Sequence, residues 1–174
     1  GEQAAETKEL LHWGVLTAGT NVQYAGAGIT ARNAVKDPLS INTLRAAVRT
    51  LRNNRAKMTT KILAPSANIS TKFVEAGWIA IGHTDLEADI RQIAGFIPVA
   101  GYGSRQPLSE YEIGSVENIR FILSPMYAPL ADAGGAKGTM MSTGGAQADV
   151  YQLMILGADF YGSVPLKGKD GVKT

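Results

Sequence analysis

Short apolar runs limit the fold of this chain more than any other feature of its sequence. They lie at 61–64, 78–81, 119–123 and 150–156, and the last two are rich in β-branched or aromatic residues. Runs of this length are typical of buried strands, since a buried helix needs roughly 10–12 residues. The sequence therefore predicts a sheet built from short strands.

Two helices are predicted before the first of these strands. Apolar residues between positions 4 and 16 recur at mixed three- and four-residue spacing, which is typical of a helix. A second helix is predicted from Ser40, a good N-cap, to about Asn53. Its apolar stripe consists of Ile41, Leu44, Val48 and Leu51. Another face carries arginine side chains at Arg45, Arg49 and Arg52, continued by Arg55.

The two histidines are the first candidates for acid–base chemistry, because only histidine titrates near neutrality without perturbation. His12 lies beside Trp13 in the first predicted helix. A general base needs an oriented partner, and the sequence offers none near His12. A structural or surface role is the interpretation we favour for this residue.

His83 follows the strand at 78–81 and precedes Thr84, the predicted N-cap of a helix from Asp85 to Ile93. Asp85 and Asp89 share one face of that helix, so metal ligation with His83 is conceivable by residue type. The helix dipole and ordinary intrahelical ion pairing explain the acidic residues without a metal. The sequence therefore predicts neither a catalytic nor a metal site here.

Glycine and other small residues dominate the segment from Ala128 to Ala148, which predicts a long, mobile loop. A phosphate-binding loop is disfavoured, because Lys137 precedes the last glycine of its cluster instead of following it. Gly26-Ala27-Gly28 likewise lacks the third glycine of a dinucleotide fingerprint. No cofactor is predicted. The loop contains Gly134, Gly135, Gly138, Gly144 and Gly145.

Composition excludes several classes of protein. The 17 basic and 15 acidic residues leave a net charge of +2, too balanced for a dedicated nucleic-acid binder, so contact with DNA is expected to be weak and non-specific. The chain has no cysteine, which excludes disulfides and thiolate metal sites. No apolar run approaches the roughly 20 residues of a membrane-spanning helix. No internal repeat or linker divides the chain, so a single α+β domain is predicted.

Four segments in sequence order resemble the major capsid proteins of tailed double-stranded DNA phages, of the kind typified by coliphage N-four. The first two are WGVLTAGTNVQYAG at 13–26 and LRAAVRTLRNNRAK at 44–57. The third is GWIAIGHTDLEADIR at 77–91. The fourth is EIGSVENIRFILSP at 112–125, followed after the glycine-rich loop by VYQLMILGADFYGSVPL at 150–166. The resemblance covers most of the chain. It departs at Thr84, where the family more often has proline, and at Glu117-Asn118, where a glycine is common.

The resemblance implies the Hong Kong 97-like capsid fold, in which a central mixed sheet is flanked by helices and a long spine helix. Residues 1–26 are similar to the end of the spine helix and the following turn, and residues 27–174 to the axial domain as one folded unit. A chain that opens at Gly1 within a helical pattern is expected to be a fragment or a processed product.

The function implied by the resemblance is structural. Such subunits form pentamers and hexamers of an icosahedral shell around packaged DNA, first in the host cytoplasm and then in the virion. The implied partners are other copies of the chain and possible scaffolding, portal or decoration proteins, without a membrane. A bacterial encapsulating shell protein of the same fold stays open as an alternative, and so does a small α/β enzyme.

Contacts between subunits are predicted at two places. A solvated helix face is the commoner explanation of the arginines on the second helix. A contact with a neighbouring acidic surface or with a phosphate backbone stays open. The glycine-rich loop is the other candidate, because assembly uses exposed, individually weak contacts. The predicted contact residues are Arg45, Arg49, Arg52, Gly134, Gly135, Lys137 and Gly138.

Overall fold

The computed structural model describes residues 2–19, 21–59, 76–103 and 105–160. Three α-helices occur in this part of the chain: α1 (Glu2–Thr17), α2 (Ile41–Asn53) and α3 (Glu87–Gln92). The strands are β1 (Trp78–Gly82), β2 (Phe96–Pro98), β3 (Glu112–Val116), β4 (Ile119–Leu123) and β5 (Met154–Leu156). Short 3-10 helices cover Arg32–Ala34, Thr84–Leu86 and Val99–Gly101. The strand predicted at 61–64 lies outside the described residues.

The strands form one five-stranded sheet in the order β2-β3-β4-β1-β5. β1 and β4 run parallel at its centre, and the other neighbouring pairs are antiparallel. The sheet is therefore mixed, and together with the helices it confirms the predicted α+β class. A parallel pair needs a long crossover connection, and here the chain between β1 and β4 supplies α3, β2 and β3.

The hydrophobic core lies on one face of the sheet, under α2 and α3. Trp78 and Ala80 of β1 share this face with Ile119 and Phe121 of β4, because the register pairs them directly. Leu44 of α2 packs into the same cluster and is almost fully buried. This burial removes large apolar side chains from water, which is the main favourable contribution to folding.

α2 forms as the sequence predicts. Ser40 is its N-cap, and the Ser40 hydroxyl accepts a hydrogen bond from the Thr43 amide at 3.3 Å. Leu44 is the buried member of the predicted stripe. The other three, Ile41, Val48 and Leu51, are partly buried against the core.

The helix predicted after β1 begins differently. Thr84 was expected to be its N-cap, and this is wrong: the Nδ1 atom of His83 accepts the Asp85 amide at 3.1 Å. His83 is the last extended residue, so its side chain reaches the first free amides. The chain then makes a 3-10 turn at Thr84–Leu86 before α3 begins at Glu87.

The strand predicted at 150–156 is also shorter than expected. Only Met154–Leu156 pairs with β1, whereas Val150 forms an isolated bridge with Leu130 at the base of the glycine-rich loop. The start of the apolar run therefore pairs with Leu130, and its end pairs with β1. Within the ranges that the structure describes, no helix is both long and apolar enough to span a membrane.

An irregularity in β3 decides which face of the sheet one acidic residue occupies. The β3–β4 register shifts between Glu112 and Gly114. In a regular ladder Glu112 would share the apolar face of Val116, because side chains alternate with a period of two. The extra residue turns Glu112 to the opposite face, where Arg120 lies.

Candidate functional site

The arginine face of α2 is exposed, and its members differ in their partners. Arg45 donates from Nε and Nη2 to the Glu117 Oε1 atom at 2.8 and 2.6 Å. Arg49 and Arg52 are exposed and form no salt bridge within the described residues. Two guanidinium charges of this face are therefore uncompensated within that part of the chain.

Glu117 lies in the two-residue turn between β3 and β4 with a φ of 52°, in the left-handed region. Glycine adopts this conformation most readily, so a glutamate at this position is unusual. The ion pair with Arg45 connects this turn to α2 across the molecule.

An open groove runs along the arginine face of α2. Among the described residues that line it, none carries a carboxylate, and of the three arginines Arg45 and Arg49 line it. Its neutral polar side chains come from α2 and from the segment before it. The lining residues are Gln23, Asn42, Arg45, Ala46, Arg49, Thr50 and Asn53.

The base of the glycine-rich loop is held by backbone hydrogen bonds. Leu130 and Val150 exchange both N–H···O bonds, at 2.9 and 3.0 Å. Farther along, the Gly134 amide donates to Ala148 and the Ala148 amide donates back to Gly135, at 2.9 and 2.8 Å. The loop lacks regular strands and helices as predicted, yet it is closely bonded where it meets the rest of the chain.

Gly134 and Gly135 also contact the segment that leads into α2. The Gly135 amide donates to the Val35 carbonyl at 2.8 Å. A Cβ atom on Gly134 would lie 2.7 Å from the same carbonyl oxygen, so a larger residue would force the segments apart. The two glycines therefore allow close approach of the loop base to the residues before α2.

Two aspartates organise the outer part of the loop. The Asp149 carboxylate accepts the Asp132 amide at 2.8 Å, and the Thr143 amide and hydroxyl at 3.1 and 2.9 Å. The Asp132 carboxylate accepts the Ser142 hydroxyl and the Gly144 amide. The bond from the Asp132 amide, together with those from Thr143, holds the pKa of Asp149 below its usual value.

The predicted contact residues of the loop differ in accessibility. Gly134 is buried and Gly135 is partly buried, whereas Lys137 and Gly138 are exposed. Within the described residues, no hydrogen bond or salt bridge joins the loop to the arginines of α2. Among the described residues the two predicted contact regions thus share no direct polar contact. Their role between subunits stays a prediction.

His83 and Asp85 lie together beside the loop, whereas Asp89 is farther along α3. The His83 Nδ1 and Asp85 Oδ2 atoms are 3.3 Å apart, and the Tyr151 hydroxyl donates to Asp85 at 2.7 Å. The His83 and Tyr151 rings are 5.6 Å apart. Among the described residues, no three His, Asp or Glu side chains lie together in an arrangement that could hold a metal ion. The arrangement joins the start of the 3-10 turn to the chain that follows the loop.

A buried polar network was missed by sequence reasoning. Tyr102, Glu112 and Arg120 lie on the face of the sheet opposite the apolar core, and all three are buried. The Tyr102 hydroxyl donates to Glu112 at 2.6 Å, and the nearest oxygen of Glu112 is 3.7 Å from Arg120. The sequence signal was a charged residue inside the apolar run 119–123, where a solvated side chain is not expected.

α1 exposes apolar side chains. Leu10, Leu11 and Val15 are each more than half exposed, at 52%, 64% and 60%. Trp13 stacks on Tyr127 with ring centroids 4.1 Å apart, which gives α1 a contact with the chain beyond β4. Leu10, Leu11 and Val15 together form an exposed apolar surface of a kind that is suited to association.

Tyr102 of the buried network and Tyr151 beside His83 should lose their protons at a higher pH than an ordinary tyrosine. Burial first, and then the hydrogen bonds to Glu112 and Asp85, raise the pKa values of Tyr102 and Tyr151 to about 12 each. Raised values favour the neutral phenol in the folded protein. Their contribution to stability is therefore complete below the ordinary value of 10.0 and is lost as the pH rises towards about 12.

A spectrophotometric titration of tyrosinate absorbance checks this prediction. Tyr102→Phe and Tyr151→Phe should each remove one phenol from the part of the curve near pH 12. The free energy of unfolding of either variant should also fall less steeply above pH 10 than that of the parent chain. A titration curve that is unchanged near pH 12 in both variants would contradict the assignment.

Comparison with known families gives one match. A family model described as phage capsid protein matches residues 1–168. A comparison with curated proteins found none that matches the chain.

Proposed function

Because the chain belongs to the phage capsid protein family, we propose that it is the shell-forming subunit of an icosahedral capsid, assembling as pentamers and hexamers around packaged DNA. The family makes the chain a structural protein of the virion, and it points to assembly instead of catalysis. The match over residues 1–168 is the observation that carries the proposal.

The fold we propose for the whole subunit is the Hong Kong 97-like capsid fold. The mixed sheet with α2 and α3 on its apolar face corresponds to the axial domain, and α1 corresponds to the end of the spine helix. This division follows the proposed boundary near residue 26.

Two surfaces support self-association. The exposed Leu10, Leu11 and Val15 of α1 give an apolar strip of the kind that marks association sites. Lys137 and Gly138 project from a loop whose base is fixed by backbone bonds, so the loop presents its exposed part in a defined position. We propose that the loop contacts the neighbouring subunit within a pentamer or hexamer, with Gly134 and Gly135 holding its base.

Assembly is proposed to take place in the host cytoplasm, with scaffolding, portal or decoration proteins as further partners. A bacterial encapsulating shell protein would share the fold and the self-association. The two differ in contents, since a phage shell encloses nucleic acid and a cellular shell encloses protein cargo.

Electron microscopy of the purified full-length protein tests the proposal. We expect closed shells with fivefold and sixfold clusters of subunits, and nucleic acid as the contents of shells isolated from infected cells. Failure to form any ordered assembly across a range of salt and protein concentrations would overturn it. Shells filled with a cellular protein would favour the alternative.

The loop contact is tested by charge reversal. Lys137→Glu should lower the fraction of protein in shells, because it places a carboxylate at the proposed boundary between subunits. Lys57→Glu makes the same change at an exposed position outside the loop and should leave the assembled fraction unchanged. Equal assembly by the two variants would remove the loop from the interface.

A further inference from the structure

We infer that the arginine face of α2 binds the phosphate backbone of nucleic acid. The binding groups are the guanidinium side chains of Arg49 and Arg52, with Arg45 at the edge of the face. The inference rests on the proposed function, since packaging supplies the nucleic acid, and it names the surface of the subunit that meets it. The sequence left a neighbouring subunit and a phosphate backbone open as partners, and the charge distribution favours the second.

The first observation is the lack of compensation. Arg49 and Arg52 lie on adjacent turns of one helix face, and neither has a carboxylate partner within the described residues. Like charges on adjacent turns of one helix face destabilise the helix. Within the described part of the chain this repulsion is therefore not relieved, and an anion that binds both guanidinium groups would relieve it.

The composition of α2 strengthens the argument. The helix contains three arginines and no acidic residue. A helix face that is merely solvated commonly alternates its charges, as α3 does with the Glu87–Arg91 pair at 2.7 Å. The charged side chains of α2 are thus all positive and lie along one face of the helix. This pattern is expected where a protein binds along the backbone of a polyanion.

The groove along α2 has matching chemistry. None of the described residues that line it carries a carboxylate, so an approaching phosphate meets no repulsive group among them. Asn42, Asn53 and Gln23 add side-chain amides, which donate neutral hydrogen bonds to phosphate oxygens. Contacts of this type fix a nucleic-acid strand without reading its sequence, as a shell protein requires.

Part of the acidic surface that a second copy could offer to these arginines is already engaged within its own subunit. Between residues 76 and 160, most acidic side chains already accept hydrogen bonds or salt bridges within the subunit. Glu117 is bound to Arg45, and Glu87 to Arg91. The others so engaged are Asp85, Glu112, Asp132 and Asp149. These carboxylates would have to leave their present partners to bind an arginine of another subunit, whereas the phosphates of a nucleic acid would not.

The expected contact is weak and electrostatic, in keeping with a net charge of only +2. Each phosphate neutralised contributes a slope of about −0.9 to the dependence of log affinity on log salt. Loss of two arginine contacts should therefore reduce the magnitude of the slope by about 2 and lower affinity roughly tenfold or more at low salt.

Fluorescence anisotropy with a short labelled DNA duplex tests the inference on the full chain. The variant Arg49→Gln/Arg52→Gln is compared with Lys57→Gln/Arg91→Gln, which removes the same net charge from exposed positions outside α2. We expect the α2 variant to lose affinity and salt dependence, whereas the control pair stays within about twofold of the parent chain. Equal unfolding midpoints of the variants show that the fold is intact.

Two outcomes would overturn the inference. Equal loss of affinity in both pairs would mean that only net charge matters. Unchanged DNA affinity with reduced shell formation in the α2 variant would assign the face to a neighbouring subunit. The outcome is separable from the proposed function, because shell formation is scored by microscopy. Binding that depends on Arg49 and Arg52 without any shells would sustain the contact and remove the capsid proposal.

Discussion

Replacement of Arg120 by methionine is expected to lower the free energy of unfolding by about 3–5 kcal/mol. The side chains of Arg120 and Glu112 are 6% and 0% exposed, and they lie on the same face of the sheet. Methionine fills much of the volume of arginine but removes its positive charge. The Glu112 carboxylate would then stay buried without the guanidinium that pairs with it, which is the costly result of breaking such a pair.

The geometry around Glu112 explains why the carboxylate cannot simply turn to solvent. It accepts the Tyr102 hydroxyl and the Leu108 amide, both at 2.6 Å. Arg120 in turn donates to the Gln106 carbonyl at 3.1 Å, and its guanidinium lies 5.5 Å from the centre of the Tyr102 ring. Loss of Arg120 therefore also leaves a carbonyl without its donor and a ring without its cation.

Two further variants isolate the charge effect. Arg91→Met removes an arginine from an exposed pair with Glu87 and should cost about 0.5 kcal/mol or less. Arg120→Met combined with Glu112→Gln has no buried charge and should be more stable than Arg120→Met alone, because the amide still serves both neighbours of Glu112. Denaturant unfolding measures all three. A cost for Arg120→Met near that of Arg91→Met would show that the pair is not buried in solution.

The elements predicted from sequence are those that depend on local patterns. α2 follows from an N-cap at Ser40 and a regular apolar stripe, and β1 and β4 follow from continuous apolar runs. These signals are complete within a dozen residues of chain. A local pattern therefore suffices to predict the centre of the sheet and the helix that covers it.

The elements that were missed depend on contacts between distant residues. β2 and β3 were not predicted, because each is stabilised by pairing with the next strand and neither has a clear apolar run. The cap at His83 depends on where β1 ends, which decides the residue that reaches the free amides. Val150 lies outside β5 because it pairs with Leu130 across the loop instead of with β1.

The candidate surfaces were likewise predicted where a local pattern defines them and missed where distant residues do. The arginine face of α2 was predicted because helical spacing alone places Arg45, Arg49 and Arg52 together. No local pattern indicates that, among the described residues, Glu117 neutralises Arg45 and neither of the other two, since Glu117 and Arg45 are 72 positions apart. The difference in partners, which carries the inference about nucleic acid, is therefore visible only in the folded chain.

Truncation of Trp78 to alanine is expected to cost about 3–5 kcal/mol of unfolding free energy. Trp78 begins β1, is 1% exposed, and packs in the cluster shared by the sheet, α2 and α3. Its ring also contacts the chain after β5, since a Cβ atom on Gly157 would lie 3.2 Å from the Trp78 Cζ3 atom. Alanine would leave a cavity bounded on several sides by fixed elements, which collapse only partly.

Trp78→Phe is the matched control, because it keeps an aromatic ring and removes the indole nitrogen. Among the described residues, Trp78 Nε1 is the buried side-chain atom with no hydrogen-bond partner. Deletion of an unpaired buried donor recovers part of its desolvation cost, which offsets the lost ring volume. We expect Trp78→Phe to cost about 1 kcal/mol or less.

Chemical denaturation followed by circular dichroism compares the two variants, since tryptophan fluorescence changes with the substitution itself. A large loss for Trp78→Ala with a small loss for Trp78→Phe would show that ring packing, and not the indole N–H, holds the sheet to its helices. Similar large losses would mean that the nitrogen has a partner in solution. Leu44 of α2 packs in the same cluster as Trp78. Trp78→Ala should therefore also weaken DNA binding by the arginine face, because α2 would be held less firmly against the sheet.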